Sequence, residues 1–202
     1  MQKCRQPWAH VPSRSMTATL AGAILGLILG LTMGGSVVSA QTPEQVAEGR
    51  AAWEKIVPVL QHPRCLNCHQ KDRPLQGDAS RIHIPAVQRG TMNQGRGTMK
   101  CLNCHNERGN NEMAGIPGAL HWQLPKKWMA WDGLSSREIC LALISNKDGR
   151  FPLKKIPEHV REDKLVLWAW EPGSGRDRIP MEISEFHRLI DQWADGNGAC
   201  PE

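Results

Sequence analysis

The sequence predicts a mainly α domain with long irregular loops, organised around two covalently attached groups. Three observations predict it. The pentapeptide Cys-Leu-Asn-Cys-His occurs twice, at residues 65–69 and 101–105. Apolar residues recur at helical spacing before the first copy and again after about residue 135. The stretches 70–100 and 106–134 are dense in Gly, Pro, Asn and charge and have no period. Such segments cannot bury enough apolar surface to offset their ordering entropy unless something else supplies it.

Cys-x-x-Cys-His is the attachment signature of c-type haem. The two thiols add to the porphyrin vinyl groups, and the adjacent His reaches the iron as proximal ligand. Cys65, Cys68, Cys101 and Cys104 are therefore the candidate haem-linking residues, with His69 and His105 as proximal iron ligands. Two haem c groups make the expected fold a small dihaem cytochrome c built around its cofactors. Each porphyrin supplies the rigid apolar face that the loops lack. Two alternatives use the same cysteines: a structural Cys4 zinc site and a dithiol redox motif. The 32 residues between Cys68 and Cys101 exceed the usual zinc-ribbon spacing of roughly 15–20. A dithiol redox motif needs a βαβ pattern around it, which the sequence lacks.

Residues 1–40 read as a signal peptide. Lys3, Arg5 and Arg14 precede an apolar stretch from Ala18 to Met33, and Val38-Ser39-Ala40 is a small-residue site that predicts cleavage after Ala40. The apolar stretch is short for a spanning helix. An uncleaved anchor is the alternative, and without it no stable membrane insertion is expected. Export to the periplasm fits covalent haem attachment, which in Gram-negative bacteria takes place outside the cytoplasm. Cleavage leaves residues 41–202 as one domain, with the haem-binding part at about 60–134 and a helical C-terminal part at about 135–202. It also leaves 22 basic against 20 acidic residues, net +2. Two haems bring about four propionates, taking the loaded protein to about −2. That balance gives no support for nucleic-acid binding.

The elements follow in order. Thr42, Pro43 and Gln45 form a capping box that opens a helix carrying Val46, Trp53, Ile56, Val57 and Leu60, with Pro58 ending or kinking it. Ser135-Ser136-Arg137-Glu138 is a second capping box, starting a helix through Cys140, Leu141, Leu143 and Ile144 that stops near Gly149. Further helices are expected from about Pro157 to Trp170 and from about Ser184 to Ala194. Strand signals are weak. Gly95-Arg96-Gly97 lacks the strand and helix that would make it a phosphate cradle, and reads as slack before the second motif. Trp122, Trp128 and Trp131 read as packing against porphyrin and helices. Setting aside Cys4 and the four haem cysteines leaves Cys140 and Cys200, which an oxidising compartment joins as a disulfide; two buried free thiols are the alternative.

What occupies the sixth iron position separates a carrier from a catalyst. His83 stands out because Ile82-His83-Ile84 is an apolar patch within an otherwise polar loop. His159 and Met129 are the other two candidates; His62 lies too close to Cys65 to fold easily over that haem, though it could reach the other one.

The segments His62–His69, Asp72–Gly77, Met129–Gly133, Glu171–Arg176 and Gly198–Pro201, with Cys140 and Cys200, resemble a family of exported dihaem proteins. That family is labelled isoquinoline 1-oxidoreductase subunit, and the resemblance spans nearly all of residues 44–201. It is where His159 and Met129 gain weight. It implies a cytochrome that accepts electrons from a molybdenum hydroxylase, so the expected partner is an oxidoreductase. The tandem layout is also similar to the small dihaem subunit of periplasmic nitrate reductase. The expected function is periplasmic electron transfer without catalysis by this chain: there is no substrate-binding motif, carboxylate pair or nucleophile constellation. The alternatives are a dihaem enzyme such as a peroxidase, with one five-coordinate iron, and a haem-based ligand sensor.

Overall fold

The structure is a computed structural model and describes residues 41–145 and 151–202. The expected signal peptide, its cleavage site and the helix stop near Gly149 lie outside the described residues. The chain is mainly helical and small, and the described residues belong to one compact unit. No helix among them is long and apolar enough to cross a membrane.

Helix α1 runs Pro43–Leu60 and begins with the expected capping box: Gln45 N donates to Thr42 Oγ1 at 3.2 Å, and Thr42 N donates to Gln45 Oε1 at 2.8 Å. Pro58 is accommodated inside the last turn and does not end the helix early. A short helix α2, Pro63–Leu66, follows with His62 as N-cap. Strands β1 (Leu75–Gln76) and β2 (Arg81–Ile82) form a two-residue antiparallel ladder. Helix α3, Ser136–Ser145, opens on the second capping box, in which Ser135 N donates to Glu138 Oε2 at 2.8 Å and Glu138 N donates to Ser135 Oγ at 3.3 Å.

The single helix expected from about Pro157 to Trp170 is two. Helix α4 spans Ile156–Glu162 and helix α5 spans Lys164–Trp168. Asp163 breaks them because it has extended backbone dihedrals and its carboxylate accepts from Leu165 N at 2.8 Å, capping α5. Helix α6, Ile183–Asp195, buries Phe186, Leu189, Ile190 and Trp193, a one-sided stripe at helical spacing.

The core lies where α1 crosses α6 and α3 and α4 close over them. Trp53 and Trp193 are both fully buried, with ring centroids 5.0 Å apart. The crossing is tight because two glycines meet: a Cβ on Gly196 would lie 2.7 Å from Gln45 O and 2.8 Å from Gly49 Cα. Cys140 on α3 and Cys200 are joined as the expected disulfide, with Cα atoms 5.6 Å apart.

Candidate functional site

Both pentapeptides fold into the same turn. Cys68 N donates to Cys65 O at 3.1 Å and His69 N to the same oxygen at 3.2 Å. In the second copy Cys104 N and His105 N donate to Cys101 O at 3.2 and 2.9 Å. One helical turn puts residues i, i+3 and i+4 at neighbouring positions on one side, the register of the two cysteines and the histidine in each copy. The Asn between the cysteines anchors each turn to its loop. Asn67 Nδ2 donates to Gly77 O and Asn103 Nδ2 to Thr98 O, each at 2.8 Å.

The two motif histidines have matching surroundings. His69 Nδ1 lies 2.7 Å from Met129 O, and His105 Nδ1 lies 2.7 Å from Pro117 O. A carbonyl only accepts, so Nδ1 carries the proton and the lone pair remains on Nε2, the arrangement of a metal-ligating histidine. Each ring also lies flat on an indole. His69 stacks on Trp131 at 3.5 Å and 12°, and His105 stacks on Trp122 at 4.4 Å and 10°. Trp131 is fixed in turn by its Nε1 bond to Leu60 O at 3.0 Å, while Trp122 meets Trp168 edge-on at 4.9 Å.

Burial pushes the Cys65 thiol up to about 12, with Cys68 adding to the shift and Arg64 opposing it. Burial likewise pushes Cys68 up to about 11, and the Cys101 thiol raises it further, so the two motifs are electrostatic neighbours. These shifts run opposite to the lowered thiol values of a dithiol redox motif or a thiolate metal site. Among the described residues no group of three or more His, Cys, Asp and Glu side chains gathers as a metal site would require. Burial also lowers His69 to about 4 and lowers His105, which keeps both imidazoles neutral.

A cavity of ≈ 610 Å³ opens between the motifs, lined by Cys68, Cys101, Cys104 and His105 together with Trp122 and Trp168. Its volume is in the range of cofactor sites. Cys65 and His69 lie outside its wall: Cys65 packs against the helical core and His69 against the core residue Trp131. The residues fit a covalently held porphyrin: two adjacent thiols, a neutral imidazole with Nδ1 engaged, and indole walls.

The three candidates for the sixth ligand occupy different places. His83 follows β2 and lines the cavity, with its ring centroid 5.9 Å from that of His105. Its Nδ1 lies 2.9 Å from Pro85 O. The first motif helps to put it there, because Leu75 N donates to Asn67 O at 2.9 Å and holds the hairpin that carries His83. His159 on α4 is partly buried, with Nδ1 3.5 Å from Asp163 Oδ2 and its ring edge-on to Phe151 at 5.2 Å. It is close enough to His69 to act on its charge. Met129 gives its carbonyl to His69 Nδ1, so its backbone stands behind that ring, on the side away from Nε2.

Three arginines belong to this region and sequence reasoning missed their roles. Arg89 is 4% exposed, and its guanidinium donates to Lys71 O and Asn93 Oδ1, each at 2.7 Å, and to the carbonyls of Gln70 and Pro125. It pins three loop segments together. Arg64 and Arg176 line the cavity. Composition carries no signal for a buried arginine whose partners are backbone carbonyls.

No protein-family profile, curated protein or solved structure matches this chain.

Proposed function

We propose that this chain is an exported one-electron carrier, a dihaem c-type cytochrome bound to its porphyrins through Cys65 and Cys68 and through Cys101 and Cys104. One observation carries the reading: the histidines of both pentapeptides have Nδ1 on a backbone carbonyl at 2.7 Å and a ring face on an indole. Two sites 36 residues apart in sequence share an arrangement that frees Nε2 and excludes water from one ring face.

Bound haem supplies a ferric/ferrous couple whose potential follows axial ligation, hydrogen bonding and burial. The chain's own residues set those terms. The Met129 and Pro117 carbonyls fix the tautomer and orientation of the proximal rings. Trp131 and Trp122 hold them still, which keeps reorganisation on electron transfer small. His83 would offer a second imidazole facing His105, and His159, close enough to His69 to act on its charge, is the candidate to do so there. Two imidazoles on one metal, with bonds of about 2.0 Å, have centroids about 6 Å apart, and the His83–His105 separation is 5.9 Å. Two histidines at each iron would close the open position that a peroxidase or ligand sensor needs. The function is then transfer from an oxidoreductase partner to a downstream acceptor. The resemblance of residues 44–201 makes a molybdenum hydroxylase the donor of choice.

Intact mass and a haem-peroxidase stain on a denaturing gel test the assignment in protein expressed with its export signal in a cytochrome c-maturing host. The expected result is two covalent haems per chain. A mass equal to the processed apo chain plus zinc overturns it. Carbon monoxide added to the reduced protein tests the function: slow, partial binding is expected, and rapid stoichiometric binding at one haem assigns an enzyme or sensor instead.

A further inference from the structure

We infer that the cavity between the two motifs contains an anion site in which Arg64, assisted by Arg176, takes a carboxylate of the bound porphyrin. The inference rests on the haem reading above. It adds a cofactor-anchoring and potential-setting role that the attachment motifs do not contain.

Arg64 sits in α2, directly before Cys65, and its side chain is 4% exposed. Burying a guanidinium is costly unless its donors and its charge are matched. They are matched only in part here. Nη2 pairs with Asp78, and one face of the group lies 5.9 Å over the Trp168 ring, but the buried Nε has no hydrogen-bond partner. Asp78 is shared, since it also accepts from Asp177 N at 3.2 Å. Arg176 is close enough for its charge to oppose that of Arg64, and Asp177 close enough to offset part of that opposition. The bonds of Arg176 go to the carbonyls of Pro172, Ser174 and Gly115, none of which neutralises it.

The charge of the cavity wall points the same way. Arg64, Arg81, Lys100 and Arg176 face it against one carboxylate, Asp78, a balance of +3 with histidines neutral. The whole chain after residue 40 carries only +2. The surplus positive charge is thus gathered at one cavity that is also walled by Trp122, Trp168 and the Cys101 and Cys104 thiols. A ligand that is an apolar disc with carboxylates at one edge meets both requirements. Arginine presents donors in a planar fork that suits a carboxylate. A cation at this edge keeps the carboxylate ionised and favours the ferrous over the ferric iron, because reduction removes one positive charge nearby.

The test uses the haem-loaded protein with Arg64→Gln, Arg64→Lys and Arg176→Gln. Intact mass establishes haem content first, and spectroelectrochemical titration across neutral pH then gives both potentials. Arg64→Gln is expected to retain two haems. At a fixed solution potential it should lower the ferrous-to-ferric ratio of one haem by roughly tenfold. That haem should also gain a pH dependence near neutrality that the wild type lacks. Arg64→Lys should restore part of the ratio, and Arg176→Gln should shift the same haem in the same direction by less. Two haems with unchanged potentials and pH response in Arg64→Gln overturn the inference. If that variant does not accumulate, unchanged potentials in Arg176→Gln do so. Phosphate or citrate added to the wild type distinguishes a free anion: potentials that move with it, and stop moving in Arg64→Gln, assign the site to a dissolved anion and overturn the porphyrin carboxylate. A wild type without covalent haem refutes the carrier reading itself and the inference with it.

Discussion

The helical body and the loop shell of this protein are held together by different means. In the body, α1, α3, α4 and α6 bury side chains against one another, with Trp53, Ile56, Ile139 and Trp193 at 0% exposure. In the shell between Asn67 and Trp131, few large apolar residues are buried, and Ile84 and Met113 are 77% and 102% exposed. Its order comes from polar staples and turns: the Arg89 guanidinium, Asn67 on Gly77 O, Asn103 on Thr98 O, and the β1–β2 ladder. The body can stand on hydrophobic burial. The shell surrounds a cavity, and on the proposed reading its order would depend on the porphyrin that fills it.

The largest test of that contrast removes the proposed covalent links. Cys101→Ser with Cys104→Ser should abolish one haem and expose the amides of about residues 75–125 to hydrogen exchange, while α1 and α6 keep their protection. Equal loss of protection in both regions would erase the distinction. Next in size is the disulfide, which belongs to the body. Removing Cys140–Cys200, which closes a separation of 60 residues, should cost roughly 4 kcal/mol in chemical denaturation without changing the haem spectra.

Arg89→Leu probes the shell's polar framework. It strips donors from acceptors on Gln70, Lys71, Asn93 and Pro125 and should cost about 3 kcal/mol, read as a lower denaturation midpoint. Exchange protection should fall first around residues 89–95. A loss confined to the body would show that the two regions are not separable.

The smallest effect is the cap of α3. Hydrogen bonds from the backbone and hydroxyl of Ser135 hold the Glu138 carboxyl below its ordinary value of 4.5. A depressed folded value stabilises the protein above the ordinary one, and the contribution disappears as pH falls through the depressed value. The midpoint difference between wild type and Glu138→Gln should therefore be positive at about pH 7 and shrink as pH falls below the ordinary carboxylate range. A difference that grows on acidification would remove Glu138 from the cap.

The sequence by itself determined what depends on neighbours within about one helical turn. Thr42 with Gln45 and Ser135 with Glu138 announced two helix starts through reciprocal bonds three residues apart. The pentapeptides fixed two identical turns, and counting cysteines singled out Cys140 and Cys200. The break at Asp163 was also local, but a capping Asp inside an apolar run reads as a surface residue until its backbone is seen to be extended. Only the tertiary structure decided the rest. It put Met129 O behind His69 across 60 residues, His83 opposite His105, and the Arg89 guanidinium among carbonyls up to 36 residues away. Residue type carries no mark of those partners, because a backbone carbonyl is the same at every position and only the path of the chain brings one to a given side chain.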